Sequence, residues 1–516
     1  MTHYPIVIVG AGPAGMTAGT LLAHYGIDCL VLDRWEGIYP QPRAVHLDDE
    51  VYRIVARLGL ADEFARISRP AFGLRLLDRD LTTLAEFRRE TAHSPHGFPQ
   101  ANMFDQPEFE QILRTSLARH DPVTVTGGKE VTSVVHTRVG ARVDYADRST
   151  GARGFVHADY VLGCDGANSV VRSSIGSRMD DLGFEQRWLV VDIATDKDLG
   201  HWEGVHQVCD PTRAATYMRI GDNRYRWEFR LQPGEGADNY TTLDSLRPLI
   251  EPWTGNVDGN ELELVRIADY TFRAQVADRW RDRRVFLLGD SAHLTPPFIG
   301  QGMGAGLRDA ANLAWKLAGV LHGTLSTSSL DTYQQERKPH AMSMIRLAMA
   351  VGWAMTEGGE LGNVVRRHVS PLAGKLPALS AKITEGVTPA LRTSEFVRRS
   401  KFRGGLAGTL CPNPILDGSL RLDNVIPDRF VVVTSIEPTE GQRYEIERRG
   451  AVLLHTSSGS DLGRWLSHGN ATAAIIRPDR TVMQTARSLA SLHTTLPTFL
   501  PEIDTGQRSD PPHLIR

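Results

Sequence analysis

The stretch Ile6-Val7-Ile8-Val9-Gly10-Ala11-Gly12-Pro13-Ala14-Gly15 decides the fold of this protein. Its first four residues are apolar and β-branched, as is typical of a buried parallel strand. The next six match the spacing Gly-x-Gly-x-x-Gly, and an apolar helical pattern then runs to about His24. A second apolar run at 29–32 ends in Asp33, 18 residues past Gly15. Strand, glycine turn, helix, strand and acid in this order predict a dinucleotide-binding βαβ unit.

Each part of this unit has a physical role. Gly10 permits the tight turn, Gly12 lets a pyrophosphate approach the backbone, and Gly15 lets the helix pack closely on the strand. The start of the helix points unpaired N–H groups at the phosphates, and Asp33 can accept hydrogen bonds from ribose hydroxyls. The motif does not distinguish NAD from FAD. The cofactor-binding candidates in this unit are Gly10, Gly12, Pro13, Ala14, Gly15, Asp33 and Arg34.

Composition narrows the class of protein. A chain of 516 residues is too long for one ordinary core, so two to four domains are expected. The 58 basic and 61 acidic residues nearly balance, which gives no reason to expect a nucleic-acid partner or an anionic membrane surface. Four scattered cysteines without a Cys-x-x-Cys pair argue against a structural zinc site and fit a reducing compartment, and no metal is expected. With no secretory signal and no membrane-length apolar run, a cytoplasmic enzyme is expected.

Two distant segments complete a larger pattern. Asp165-Gly166 follows an apolar run in 160–172, with Arg172 just beyond it, and Gly289-Asp290 follows the apolar run 285–288. Either pair alone would be read as a β-turn after a strand. Together with Gly-x-Gly-x-x-Gly they resemble the class A FAD-dependent aromatic hydroxylases, which have the p-hydroxybenzoate hydroxylase fold. Segments 42–50, 190–194, 209–211 and 330–337 are most similar to the 3-(3-hydroxyphenyl)propionate hydroxylase branch.

The resemblance implies an activity. A member of this family binds FAD, takes NADH or NADPH as co-substrate, and uses molecular oxygen to hydroxylate a small aromatic substrate through a flavin C4a-hydroperoxide. The branch implies a phenolic acid of the hydroxyphenylpropionate type. Three alternatives stay open: a tailoring hydroxylase for a polycyclic natural product, a flavoprotein dehydrogenase or oxidase without oxygen insertion, and a flavin-binding regulator without turnover.

The resemblance also implies residue roles around the cofactor. It places Asp33 at the adenosine ribose, Arg43 near the pyrophosphate or the NAD(P)H path, Gln106 at the ribityl or phosphate region, Asp165 and Gly166 near the pyrophosphate and the NAD(P)H site, and Asp290 at the ribityl chain. The residues themselves predict a helix from about 105, with Asp105 as its cap and Glu108 completing a capping box. Because no second Gly-x-Gly-x-x-Gly follows a strand, no separate nicotinamide domain is expected.

The segment 289–306 combines an acid, two prolines and several glycines. Pro296-Pro297 predicts an extended backbone, suited to a wall beside the flavin ring. The glycines at 300, 302, 304 and 306 would let the main chain lie close to the isoalloxazine and begin a helix there. The N–H groups of that helix would face the N1–C2=O edge, where charge develops on reduction. Pro297, Gly300, Gly302 and Met303 therefore join the cofactor-binding candidates.

A phenol reacts faster as its phenolate, so a base or proton relay near its hydroxyl is expected. His46 is the first candidate, with Tyr217, Arg219 and His293 as further ones. Arg219 or Arg226 could instead pair with a substrate carboxylate, because arginine offers a planar fork of donors. Both arginines lie in alternating segments that predict strands of a substrate-domain sheet.

The expected architecture is α/β, with a Rossmann-like FAD-binding domain interleaved with a β-sheet substrate domain. The FAD-binding domain is assigned to 1–72, 98–180 and 275–345, and the substrate domain to 73–97 and 181–274. Long helices are expected over 305–322 and 330–355. A helical connection at 346–398 leads to a thioredoxin-like C-terminal domain at 399–516, without Cys-x-x-Cys, for which a structural or dimer-contact role is expected. A homodimer is the expected assembly.

Overall fold

A computed structural model describes residues 2–39, 44–92, 94–210, 212–356, 388–399, 405–417, 420–492 and 494–500. Its strands are β1 His3–Val9, β2 Cys29–Leu32, β3 His46–Leu47, β4 Ser68–Pro70, β5 Gly73–Leu77, β6 Thr83–Arg88, β7 Asn102–Phe104, β8 Val123–Thr126, β9 Lys129–His136, β10 Ala141–Asp147, β11 Arg153–Gly163, β12 Met179–Ala194, β13 Val205–Val208, β14 Ala215–Arg219, β15 Arg224–Arg230, β16 Glu263–Ala277, β17 Arg281–Asp282, β18 Val285–Leu287, β19 His293–Leu294, β20 Ile415–Asp417, β21 Leu420–Arg421, β22 Val431–Thr434, β23 Val452–His455, β24 Ala473–Ile476 and β25 Val482–Ala486. Its helices are α1 Pro13–Ala23, α2 Asp49–Arg57, α3 Ala61–Ile67, α4 Gln106–Leu117, α5 Val170–Ser174, α6 Leu243–Thr254, α7 Gly302–Leu321, α8 Asp331–Thr356, α9 Leu422–Val425, α10 Glu440–Glu447 and α11 Asp461–His468.

The first sheet has a parallel core in the order β18-β11-β1-β2-β8, extended by antiparallel pairing of β17, β10 and β9. The apolar run at 6–9 is buried on both faces, as a strand between helical layers must be. Because β1, β11 and β18 are parallel neighbours, their carboxyl ends lie side by side. The turns after these strands hold Gly10, Asp165 and Gly289, so the three sequence motifs meet at one edge of the sheet.

The second sheet has eight strands in the order β19-β16-β12-β15-β14-β13-β5-β6. Its residues come from 73–88, 179–277 and 293–294. One face is covered by α6 and carries an apolar cluster that includes Tyr217, Tyr225, Trp227 and Trp253. The opposite face looks toward the first sheet and its three turns. The sheet is therefore buried on one side by its own helix and faces the site on the other.

The C-terminal part forms a four-stranded sheet in the order β23-β22-β24-β25, with α10 and α11. It packs on the rest of the chain, where Trp315 of α7 contacts Phe396, Phe430 and Phe499 edge to face. The thioredoxin-like assignment and the domain bounds stay predictions. The bound assigned at 345/346 falls inside α8, and most of the assigned connection, 357–387, lies outside the described residues. Among the described helices, none is long and apolar enough to cross a membrane.

Candidate active site

A cavity of about 870 Å³ lies between the two sheets. It is lined by the turns after β1, β11 and β18, by the start of α7, and by the facing side of the second sheet. Its volume is near the upper end of the range of about 300–1,000 Å³ for ligand sites. One continuous space thus joins the predicted cofactor turns to a region lined by apolar side chains.

The three glycines of the first turn differ in what surrounds them. A Cβ at Gly10, where φ is +104°, would lie 2.3 Å from the Cys164 carbonyl oxygen. A Cβ at Gly15 would lie 2.0 Å from the Gly10 carbonyl oxygen. At Gly12 a Cβ would meet nothing within 4 Å, and Gly12 provides no side-chain cap for α1. The first N–H groups of α1 therefore face open cavity space, as a dinucleotide pyrophosphate requires.

Asp33 is buried at the end of β2 and lines the cavity. Its carboxylate accepts hydrogen bonds from the backbone N–H groups of Ala11, at 2.5 Å, and Trp35, at 2.7 Å. These bonds fix the acid beside the glycine turn. Pro13, Ala14 and Arg34 also line this end.

The Asp-Gly turn is tied to the Gly-Asp turn. Asp165 accepts hydrogen bonds from the Ser169 hydroxyl at 2.5 Å and from the Val171 N–H at 3.0 Å, so it also caps the start of α5. Burial raises the pKa of Asp165. Arg172 donates to the carbonyls of Ala167, at 2.7 Å, and Ser291, at 3.0 Å, and so bridges the two turns. Gly166, with φ at +80°, lines the cavity with open space at its Cβ position.

Asp309 of α7 organises the turn that carries Asp290. It accepts hydrogen bonds from the Gly289 N–H at 3.0 Å, from His293 Nε2 at 2.8 Å and from Arg337 Nε at 2.8 Å. Asp290 then lines the cavity beside α7. The hypothesis that His293 is a base is not supported, because its buried ring is held by Asp309 and stacks on Trp280.

The start of α7 differs in detail from the prediction. Pro296 is extended, Pro297 opens a single 3₁₀ turn, and Gly300 has φ at +61°. α7 begins at Gly302, where a Cβ would meet nothing within 4 Å. Pro297, Gly300, Gly302 and Met303 all line the cavity.

Gly304 serves helix packing and does not line the cavity, whereas Gly306 both lines the cavity and packs closely on α1. A Cβ at Gly304 would lie 2.8 Å from the Val51 side chain, and one at Gly306 would lie 3.2 Å from the Ala14 side chain. Gly302 and Gly306 are four residues apart and share the cavity face of α7, whereas Gly304 points toward α2.

Gln106 and His46 lie where the chain crosses the cavity. Gln106 accepts a hydrogen bond from the Ala44 N–H and donates one to Glu110, both at 2.7 Å. His46 Nδ1 lies 3.5 Å from the Gly300 carbonyl oxygen, and burial lowers the pKa of the imidazole. Both residues line the cavity, whereas Arg43 lies outside the described residues. The predicted capping box is wrong, because Asp105 occupies the N-cap position of α4 without a side-chain cap bond.

The structure brings neither Tyr217 nor Arg219 to the cavity as described. On β14 the neighbours Thr216 and Met218 line it, and Tyr217 points to the opposite face, where its ring packs on Trp227 and Trp253. This correction follows from the two-residue period of a strand.

The two arginines proposed to bind a substrate carboxylate are hydrogen-bonded to groups of the protein instead. Arg219 donates to Glu203 at 3.0 Å and to the Gly221 carbonyl at 3.2 Å. Arg226 donates to both carboxylate oxygens of Asp192, at 2.7 and 2.9 Å. Their charges are thus compensated by carboxylates of the protein itself.

Four polar residues at the substrate end were not singled out from the sequence. Arg89 lies beyond the end of β6, and Gln207, Thr216 and Glu228 lie on β13, β14 and β15. The alternating pattern at 225–230 was the available signal, but it does not state which alternate set faces the site. In the described residues, no group of three or more His, Cys, Asp or Glu side chains could hold a metal ion.

Comparison with known proteins places this arrangement in a family. The model of a family described as "FAD binding domain" matches residues 3–348. A Rhodococcus jostii protein named as a probable NADH-specific resorcinol 4-hydroxylase is 33% identical over 503 residues, covering 94% of this chain and 93% of its own. A 3-(3-hydroxy-phenyl)propionate/3-hydroxycinnamic acid hydroxylase of Burkholderia cenocepacia is 38% identical over 376 residues, covering 72% and 68%.

Solved structures show the same fold. The flavin-dependent monooxygenase PieE, solved with FAD and substrate, is 22% identical, covers 96% of this chain and 98% of its own, and has a TM-score of 0.82. Aklavinone-11 hydroxylase, solved with FAD and aklavinone, is 22% identical, covers 97% and 99%, and has a TM-score of 0.79. The resemblance noted in the sequence motifs is thereby confirmed, and the chain belongs to the FAD-dependent aromatic hydroxylases.

Proposed function

We propose that this protein is an NADH-dependent monooxygenase that uses molecular oxygen to hydroxylate the ring of a small phenolic acid of the hydroxyphenylpropionate type. The observation that carries the proposal is the cavity that connects the three dinucleotide turns with the face of the second sheet opposite α6. The names of the relatives, a resorcinol hydroxylase and hydroxyphenylpropionate hydroxylases, support a phenol as substrate and NADH as reductant.

The residues at the turns fit FAD. Gly12 leaves room for a pyrophosphate at the start of α1, and Asp33 lines the cavity where it would bind the adenosine ribose. Bound FAD supplies the chemistry of taking a hydride from the nicotinamide and activating oxygen. The open N–H groups at Gly302 would stabilise the negative charge on the reduced ring. The predicted set that would hold FAD in the described chain is Gly10, Gly12, Pro13, Ala14, Gly15, Asp33, Arg34, Gln106, Asp165, Gly166, Asp290, Pro297, Gly300, Gly302 and Met303.

The substrate end is shaped to exclude water and hold a ring. Apolar side chains line it from the second sheet, from β7 and from α8, among them Leu74, Met103, Met218, Leu347 and Val351. Excluding water keeps the activated oxygen from being lost to side reactions before it reaches the substrate ring. His46 stays on this wall as a candidate for proton transfer, in its neutral form at pH 7 because burial lowers its pKa.

A cation in this region supports an acidic substrate. Arg89 lines the cavity, and we assign it to the carboxylate of a phenolic acid. The carboxyls of Asp48 and Asp49 lie close enough to favour its charge, against the effect of burial. A resorcinol-type diol is the second candidate, favoured by the Rhodococcus relative, which matches 94% of this chain.

The experiment is turnover with product analysis. The purified protein should show a flavin spectrum and oxidise NADH faster than NADPH in the presence of 3-hydroxyphenylpropionate or 3-hydroxycinnamate, with resorcinol and a polycyclic phenol assayed as the alternative substrates. Ring-hydroxylated product is measured, not only NADH loss. An Arg89→Gln variant should raise KM for the acids and leave KM for resorcinol unchanged. NADH loss without hydroxylated product from any phenol would contradict the proposal and support the dehydrogenase or oxidase alternative.

Location and assembly belong to the same proposal. Cys29, Cys164, Cys209 and Cys411 are all free thiols, and the absence of disulfides among them supports a reducing, cytoplasmic compartment. A homodimer with the C-terminal part as a contact is proposed. Size-exclusion chromatography with light scattering tests the assembly, and a monomeric mass would contradict it.

A further inference from the structure

Glu228 faces the cavity from the middle of the second sheet. It lies on β15 directly opposite Thr216 of β14 and Val190 of β12. Residues paired across neighbouring strands point to the same face, so Glu228 and Thr216 approach the cavity side by side. Trp188 and Tyr270 line the cavity from the same sheet. Glu228 thus shares the cavity-facing side of the sheet with two large aromatic side chains.

The hydrogen bonds around Glu228 leave acceptors pointing at the cavity. Gln207 is oriented by donating to the carbonyls of Ala215, at 3.1 Å, and Val208, at 3.3 Å, and the Thr216 hydroxyl donates to its amide oxygen at 3.0 Å. Throughout the described chain, no donor hydrogen-bonds the Glu228 carboxyl, which belongs to a residue only 8% exposed. Thr216 and Glu228 can therefore still accept hydrogen bonds from a ligand. A ligand hydroxyl can donate such a bond, and a ligand carboxylate cannot.

The arginines near Glu228 form their ion pairs with another carboxylate, that of Asp192. Arg226, two residues earlier on the same strand, is bound to both oxygens of Asp192 on β12. Arg266 on β16 lies 3.1 Å from the same aspartate. Burial outweighs the attraction of Arg226 and raises the pKa of Glu228, which makes it a stronger base than an exposed glutamate.

We propose that Glu228 is a catalytic residue that accepts a hydrogen bond from the ring hydroxyl of the substrate and takes its proton, with Thr216 as a second acceptor that orients the hydroxyl. The inference rests on the proposed ring hydroxylation. In this step the phenol O–H bond breaks, its electron pair stays on the phenolic oxygen, and the proton moves to a carboxylate oxygen of Glu228. The products are a phenolate, whose ring is more electron-rich, and a neutral carboxylic acid. A phenol hydroxyl therefore binds at Glu228, and any carboxylate of the substrate binds away from this residue.

A binding experiment tests the proton transfer without turnover. 4-Nitrophenol is bound to the FAD-loaded protein in the absence of NADH, and its ionisation is followed through the absorbance of the nitrophenolate. We expect the wild-type protein to bind the phenolate at a pH where Glu228→Gln binds the neutral phenol. Bound FAD and circular dichroism verify that the variant is folded. The same ionisation state in both proteins would overturn the inference.

Turnover provides the second measurement. Glu228→Gln should lower kcat/KM for the phenol at least about 100-fold, the lower end of the usual range for general-base catalysis, and should remove the acid limb of the pH profile. Glu228→Asp should recover part of the rate and the acid limb. Glu251→Gln, on the exposed side of α6, is the matched control and should behave as wild type. A Glu228→Gln rate close to wild type with the acid limb intact would overturn the inference.

The two proposals can fail separately. A wild-type protein that hydroxylates no phenol contradicts the proposed function, and the nitrophenol experiment then still decides whether Glu228 takes a phenolic proton. A wild-type protein that hydroxylates normally, with a Glu228→Gln variant that does the same, keeps the proposed function and removes Glu228 from it.

Discussion

At the scale of single residues, the glycines around the cavity are required for two different physical reasons. Gly10 and Gly15 are required by contacts within the protein, because a Cβ would collide with backbone oxygens. Gly12 and Gly302 have open space where a Cβ would be, and both lie at helix starts on the cavity wall. The first kind preserves the fold, and the second kind leaves room for a ligand.

Gly302 should be replaceable without loss of the fold. Gly302→Leu is expected to unfold at the wild-type temperature, yet to bind FAD at least about 10-fold more weakly, a loss of about 1.4 kcal/mol, because its side chain would project into the cofactor space. Flavin fluorescence titration and the rate of flavin reduction by NADH measure the effect. Gly441→Ala, on α10 with open space at its Cβ, is the control. Wild-type FAD affinity together with a wild-type reduction rate would refute this role.

Asp49 should make stability fall as pH rises. Burial and the neighbouring Asp48 raise its pKa to about 7, from an ordinary value of about 3.9. Between these values the folded state binds more protons than the unfolded chain, so stability is lost on raising the pH, by about 1.4 kcal/mol per unit of pKa difference. Asp49→Asn should therefore unfold at a higher temperature than wild type at pH 8 and at the same temperature at pH 4. A difference of equal size at both pH values would show that ionisation is not the cause.

At the scale of an element, the face that each strand presents decides which residues meet the substrate. On β14, Thr216 and Met218 line the cavity and Tyr217 packs under α6. On β15, Glu228 lines it and Trp227 packs on the other side. Shifting either strand by one residue would exchange these sets completely.

Tyr217 should matter for stability and not for chemistry. Tyr217→Phe is expected to keep the wild-type rate of product formation, because the ring packs on Trp253 away from the cavity. Tyr217→Ala should cost about 3–5 kcal/mol, as for other buried aromatic truncations. Steady-state product analysis and urea denaturation measure the two effects. A folded Tyr217→Phe protein that reduces FAD but forms no hydroxylated product would restore Tyr217 as a catalytic candidate.

At the scale of the whole molecule, buried ion pairs attach the C-terminal part to the rest. Asp423 of α9 accepts from Arg53 of α2 at 2.5 and 2.8 Å and from Arg480 at 2.8 Å. Glu336 of α8 accepts from Arg477 at 3.0 Å and from Lys316 at 2.9 Å, with all three side chains fully buried. Lys316 lies on α7, which begins on the cavity wall, so this attachment is linked to the site through that helix.

Asp423→Asn should destabilise the whole protein. It leaves the buried guanidinium groups of Arg53 and Arg480 without their shared anion, at an expected cost of about 3–5 kcal/mol. Thermal unfolding followed by flavin release measures the loss, and we expect one cooperative transition at lower temperature. The exposed pair Asp461–Arg464 gives the control, Asp461→Asn, which should unfold as wild type does. An Asp423→Asn protein with an unchanged midpoint would show that the attachment is apolar.

The sequence by itself determined the βαβ unit, the three cofactor turns, the long helices of α7 and α8, and the family. These features are encoded locally, by glycine where a turn or close approach needs it and by runs of apolar residues around it. The tertiary structure decided which residues line the substrate end. Glu228 and Thr216 face the cavity, whereas Tyr217 and Arg219 do not. The His293 ring is hydrogen-bonded to Asp309. An alternating strand looks the same after a one-residue shift, and here both faces of the sheet are buried, so only the pairing of distant strands selects the face that meets the substrate.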